Sequence, residues 1–144
     1  MGISSGRSKE QVIFEMRKRG LRLTRPREAI LDCLLETDEH PSARTIWERV
    51  KKKVPSVSLS TVYSTLSELT KNNIINELEF AETSNRYEGN LAHHINLICV
   101  QCGNISDYTT AHTLDLEQVK EVTLFKAFRA RFELYGRCNK CSEE

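Results

Sequence analysis

Long apolar runs are missing from this chain of 144 residues. The longest stretch, Ile95-Asn96-Leu97-Ile98-Cys99-Val100, falls far short of the ~20 apolar residues that a membrane helix needs, so no membrane partner is expected. The first residues, Met1-Gly-Ile-Ser-Ser-Gly-Arg, show no apolar core behind their positive charge, so no secretory signal is expected and the cytoplasm is the expected location. Repeats and low-complexity segments are absent too. Neither a phosphate-cradling glycine loop nor a nucleophile–base pair stands beside the cysteines, so an enzyme is not expected.

A large net charge is also lacking, at +1 overall, but the halves differ. Residues 1–73 hold 14 Lys and Arg against 9 Asp and Glu, while residues 74–144 hold 7 against 11. Residues 1–27 alone carry eight basic and two acidic side chains, a density suited to phosphates. The basic half reads as four helices. Val12, Ile13 and Met16 share a face in 9–19, with Gly20 as a stop. Thr24 caps a second helix with the stripe Ala29, Ile30, Cys33 and Leu34, and Ser42 caps a third with Ile46, Trp47 and Val50. Ser58 or Ser60 caps a fourth, 61–72, with Val62, Leu66 and Leu69 inward. Extended runs at 74–80 and 85–88 then suggest a hairpin, and helices followed by a hairpin suggest a winged helix-turn-helix. From about Gly89 the pattern becomes strand, strand, helix, strand at 94–100, 104–109, 113–125 and 127–135. In the last strand Phe128, Ala130, Phe132 and Leu134 alternate with Arg129, Arg131 and Glu133. The expected fold class is α/β (α+β): a DNA-binding winged-helix domain over 1–84, a hinge over 85–92 and an α/β domain over 93–144.

Four of the five cysteines form Cys99-x-x-Cys102 and Cys138-x-x-Cys141, with 35 residues between the pairs. Two such turns complete the tetrahedral sulfur shell of a structural Zn²⁺, which would staple the end of the domain to its first strand. A redox dithiol or a disulfide is the competing chemistry, disfavoured by two matched pairs in a cytosolic chain. Gly103 and Gly136 beside the knuckles suggest tight turns. Cys33, on an apolar stripe, reads as a small buried hydrophobe. His93 and His94 point to opposite faces of a strand, and His94 shares a face with Asn96. With Glu88 and Asp107 nearby they suit a five- or six-coordinate Mn²⁺, Fe²⁺ or Zn²⁺, or equally a solvated strand. His112 reads as a cap or surface residue. The fourth helix crowds Ser58, Ser60, Thr61, Tyr63, Ser64, Thr65 and Ser67 together. Such a helix is either solvated or aimed at phosphates and base edges in a major groove.

The phrases Leu23-Thr24-Arg25-Pro26-Arg27-Glu28-Ala29-Ile30-Leu31, His40-Pro41-Ser42-Ala43, Ser60-Thr61-Val62-Tyr63-Ser64-Thr65-Leu66 and His93-His94, followed by the cysteine pairs, resemble the ferric uptake regulator family of metal-dependent transcription factors over nearly the whole chain. The resemblance implies an N-terminal winged helix, a C-terminal α/β dimerisation domain, and a homodimer on a partly palindromic double-stranded DNA operator. It places Tyr63 on the recognition helix and Arg22 near the minor groove. It also implies a regulatory metal between the two domains, with His40, Glu88, His94 and Asp107 as ligands carried over. Asn96 stands where the family usually has a second histidine, which makes the site richer in oxygen. An auxiliary site of the family looks dismantled, since Ile95 and Ala130 replace its usual aspartate and histidine beside His93. Asp107 resembles the peroxide-sensing branch and Glu88 the iron branch. The favoured expectation is peroxide sensing through bound Fe²⁺ or Mn²⁺, with oxidation of His40 or His94. The alternatives are an iron- or zinc-uptake regulator, a metal-insensitive DNA-binding member holding structural zinc alone, and a zinc thiol switch.

Overall fold

Hydroxyl caps set the helix starts in the first of two units, Met1–Ala92 and His93–Glu144, into which the computed structural model divides the chain. It describes residues 7–80, 83–91, 94–110, 114–127 and 130–142. In the first unit, α1 (Lys9–Lys18) starts in a capping box between Ser8 and Gln11. Thr24 caps α2 (Arg25–Leu35), Ser42 caps α3 (Ala43–Val50) and Ser58 caps α4 (Leu59–Lys71), each hydroxyl accepting from the backbone N–H three residues on. Left-handed residues stop α1 and α4. Gly20 (φ +75°) and Asn73 (φ +56°) let Leu21 and Ile74 donate back to Met16 and Leu69, closing the last turn of each helix.

The helices bury one stripe each. Val12, Met16, Ile30, Leu34, Ile46, Val50, Val62, Leu66 and Leu69 are at most 1% exposed, and Leu31 joins them although the expected stripe omits it. Trp47 and Cys33 pack at the margin of this core. The Trp47 indole N–H donates to the Val57 carbonyl (3.1 Å), closing the turn between α3 and α4. A two-stranded antiparallel hairpin completes the unit: β1 (Asn76–Leu78) and β2 (Arg86–Glu88), with Asn76 opposite Glu88. β2 also forms a bridge with Ser42, and Tyr87 N–H donates to the Pro41 carbonyl (3.0 Å). The 85–92 stretch therefore contributes a strand to the first unit.

The second unit is a three-stranded sheet in the order β4-β3-β5. β3 (Ile95–Cys99) pairs antiparallel with β4 (Ile105–Tyr108) and parallel with β5 (Glu133–Gly136). A parallel neighbour needs a long crossover, which includes α5 (Leu116–Thr123). A short helix, α6 (Asn139–Ser142), follows.

Several expectations need correction. The last strand begins at Glu133, not at 127, because β3 is five residues long and its register meets β5 at Asn96↔Glu133. Leu134 is 58% exposed, Ala130 is also exposed and Phe132 is half-buried, so the expected apolar face is only partly covered among the described residues; Phe128 and Arg129 lie outside them. Gly136 ends β5 without a positive φ, so only Gly103 (φ +77°) makes the tight turn. Asp115 caps α5 by accepting from the backbone of Glu117 and Gln118. His112, the expected cap, lies outside the described residues, as does His93.

Candidate metal centre and nucleic-acid interface

The β3–β5 register builds a sulfur cluster at one end of the second unit. Cys99 ends β3 opposite Gly136, so the chain leaving β5 delivers Cys138 beside it. Gly103 turns back through its N–H bond to the Cys99 carbonyl (2.9 Å), which returns Cys102 to the same place. The first turn of α6, with Cys141 N–H donating to the Cys138 carbonyl (3.0 Å), supplies the fourth thiol. All four sulfurs lie within 4.8 Å of one another.

The spacing is that of a metal shell. Zn–S bonds of ~2.3 Å at tetrahedral angles put two sulfurs about 3.8 Å apart. Cys102 Sγ stands 3.8 Å from Cys138 Sγ. The electrostatics agree. The backbone N–H of Cys102, then that of Cys138, holds the Cys99 thiol down at about 6. Neighbouring sulfurs, Cys138 first, push Cys141 up to about 12. Thiolates brought this close together call for a cation among them. The donor set fits Zn²⁺.

His40 and Glu88 meet in the first unit. His40 precedes the α3 cap and Glu88 ends β2, and both are 4% exposed. Arg86 Nη1 donates to the His40 carbonyl (3.1 Å), fixing that loop against the hairpin. His40 Nε2 lies 2.9 Å from Glu88 Oε2. Two donors ~2.1 Å from one ion at right angles stand about 3.0 Å apart, so this pair has the separation of neighbouring ligands. In the second unit Asn96 lies opposite Asp107 across β3 and β4. His94 precedes Asn96 by two residues; both are buried, and Asp107 is exposed.

The expected DNA residues lie on α4 and its approaches. Ser60, Thr61, Tyr63 and Ser64 are exposed, with Tyr63 at 50%. Ser64 also donates its hydroxyl to the Thr61 carbonyl (3.0 Å), while Ser58 is spent as the cap and Thr65 is buried. Arg22 is exposed in the loop before α2.

Arg27 was not singled out in the sequence. Its Nη1 donates to the Arg22 carbonyl (2.8 Å) and its Nη2 to Glu68 Oε2 (2.5 Å), tying the Arg22 loop to α4. A cation in the first turn of a helix opposes the helix dipole, which was the available signal of a dedicated partner. Cys33 is half-buried against the core and burial raises its thiol above the ordinary value, in keeping with a packing role.

Known proteins share this plan. The profile of the ferric uptake regulator family matches residues 18–135. The peroxide-responsive repressor PerR of Staphylococcus epidermidis is 35% identical over 136 residues, covering 94% of this chain and 91% of that protein. Among solved structures, the Helicobacter pylori ferric uptake regulator Fur, described with three functional metal binding sites, has a TM-score of 0.70 at 26% identity, covering 94% of this chain and 91% of that one. Streptococcus pyogenes PerR, described with the structural basis of its peroxide sensing and gene regulation, has a TM-score of 0.53 at 31% identity, covering 92% and 91%. From its sulfur cluster to its hydroxyl-rich fourth helix, this chain belongs to the ferric uptake regulator family.

Proposed function

We propose that this chain is a peroxide-responsive, metal-dependent repressor of the cytoplasm that binds double-stranded DNA as a homodimer. The observation that carries this is the His40–Glu88 pair: two buried ligand atoms 2.9 Å apart, at the end of the hairpin that adjoins the hydroxyl-rich helix. The similarity to peroxide-responsive repressors supports the branch. The reading goes with two domains, a winged helix over 1–84 whose hairpin is completed by β2 in 85–92, and a dimerisation domain over 93–144.

Zn²⁺ at Cys99, Cys102, Cys138 and Cys141 is structural. It ties the chain after β5 to the end of β3, in a unit whose buried apolar side chains are, among the described residues, Ile98 and Cys99. The exposed Val122, Leu124, Phe125 and Leu134 of that unit support a second copy as their cover. No helix among the described residues is long and apolar enough to cross a membrane.

The proposed regulatory set is His40, Glu88, His94, Asn96 and Asp107. Two imidazoles, one amide and two carboxylates favour Fe²⁺ or Mn²⁺, because oxygen donors suit the harder divalent ions. Fe²⁺ held by these residues would activate H₂O₂ towards a liganding imidazole; the imidazole gives up two electrons and gains one oxygen, and the peroxide accepts them and leaves its other oxygen as water. His40 and His94 are the imidazoles at risk. An oxidised imidazole no longer holds its place in the set, and the winged helix loses the restraint that fits it to DNA. Arg22, Ser60, Thr61, Tyr63 and Ser64 make the DNA contacts. The Arg22 guanidinium neutralises phosphate while Tyr63 and the hydroxyls meet base edges.

The test is fluorescence anisotropy of the zinc-loaded protein on a DNA duplex it selects from a random pool. Mn²⁺ and anaerobic Fe²⁺ are titrated in turn, followed by H₂O₂. The expected outcome is metal-dependent binding that peroxide abolishes in the Fe²⁺ form alone, with a one-oxygen mass gain on the His40 or His94 peptide. Binding indifferent to metal and peroxide overturns the proposal and leaves a zinc-stapled DNA-binding protein in which Asn96 marks a retired sensor.

A further inference from the structure

We infer that Asn76, which is not itself a ligand, is the positioning residue of the regulatory metal site: it decides which oxygen of Glu88 faces the ion. This rests on the ligand set proposed above.

Asn76 opens β1 directly opposite Glu88 in the hairpin register. Its Nδ2 donates to Glu88 Oε1 (3.3 Å) and to the Asn90 carbonyl (3.2 Å). Both partners are acceptors, so the amide nitrogen, not its oxygen, points this way. One carboxylate oxygen is thus engaged from the hairpin side while the other, Oε2, lies 2.9 Å from His40 Nε2. The bond to Asn90 holds the backbone two residues past Glu88 in the same grip.

The two ligands are held by different means. His40 is fixed through its backbone, by Arg86 on its carbonyl and by the Tyr87–Pro41 bond. Glu88 is held through its carboxylate, by Asn76. A carboxylate held at one oxygen offers a divalent ion a single bond; released, it can turn and offer two. Asn76 therefore sets the coordination number as well as the aim of this ligand, and coordination number is what separates Mn²⁺ and Fe²⁺ sites from tetrahedral Zn²⁺ sites. The chemistry of the donor matters too. An arginine or lysine here would orient Glu88 equally well but would repel the cation, whereas a neutral amide orients it without that cost.

The experiment uses zinc-loaded, full-length Asn76→Leu, similar in volume but without the donor. Mn²⁺ affinity is followed by the electron paramagnetic resonance of free Mn²⁺. The expected fall is on the order of 10–100-fold, the range for losing an outer-shell partner of a metal ligand. Asn76→Ser, which keeps a donor on a shorter arm, should recover part of it. The visible absorption of Co²⁺ at the site should weaken in Asn76→Leu as the coordination number rises, a change that a merely structural residue would not cause. Unchanged Mn²⁺ affinity and Co²⁺ spectrum in Asn76→Leu, in a protein whose Glu88→Gln form has lost Mn²⁺, overturns the role of Asn76. Should Asn76→Leu fail to fold, Asn76→Ser carries the same test, and wild-type affinity and spectrum there overturn the inference. If Glu88→Gln and His40→Ala both bind Mn²⁺ as the wild type does, it is the ligand set that fails.

Discussion

Eighteen buried residues form one apolar cluster in the first unit, whereas among the described residues of the second the buried apolar side chains are Ile98 and Cys99, and Val122, Leu124, Phe125 and Leu134 face outward. α5 buries none of its residues. One unit is held by packing; in the other, under the proposed function, a four-sulfur zinc cluster and a second copy take over that part. The difference decides where each unit is vulnerable. Packing fails by cavities, and a metal-held unit fails by loss of its ion.

The largest expected effect is Cys138→Ser, or zinc removal by a chelator. Structural zinc contributes about 10–16 kcal/mol in small peptides, so the second unit should lose its fold and the dimer should dissociate. The first unit should keep its melting transition in calorimetry, and a stable Cys138→Ser dimer would break the contrast. Next comes Leu66→Ala. This fully buried residue should destabilise the first unit by about 2–5 kcal/mol in denaturant titrations and leave zinc content untouched. Leu134→Ala should do the reverse, sparing protomer stability while weakening dimerisation in sedimentation measurements, since the side chain is already exposed. A protomer loss as large as that of Leu66→Ala would show that the second unit has a core after all.

Smaller still is Arg27→Ala. Its ion pair with Glu68 is partly exposed, so about 1 kcal/mol or less of stability is at stake. The readout is DNA binding: with the Arg22 loop untied from α4, affinity should fall by a few-fold, and unchanged affinity would remove Arg27 from the interface. The smallest effect concerns Cys33. Burial favours its neutral thiol, so its contribution to stability is present below the ordinary thiol value and fades as pH rises beyond it. Alkylation of Cys33 should therefore lag that of an unfolded peptide thiol near pH 8 and gain on it with rising pH.

The caps and stripes of the helices were legible because each is local: Thr24, Ser42 and Ser58 announce a start, and the apolar spacing announces a face. The cysteine pairs were legible for the same reason, since each knuckle is four residues long. The extent of the last strand was not, because alternation extends to 127 while pairing depends on where β3 begins. α6 hid behind the second knuckle, being four residues long with no stripe of its own. Arg27 meets Glu68 across 41 residues, and Asn76 meets Glu88 across 12. Bonds between side chains so far apart leave no period in the sequence.

The parallel pairing of β3 with β5 also sets a timetable. The helical contacts of the first unit are close in sequence, and such topologies assemble in microseconds to milliseconds. β5 must find β3 across the whole α5 crossover, and closing that loop has to precede any return from sulfur or strand pairing. A newly made chain is therefore expected to complete its first unit before its second. Under the proposed function, the chain in that interval is a lone winged helix whose second half has yet to form.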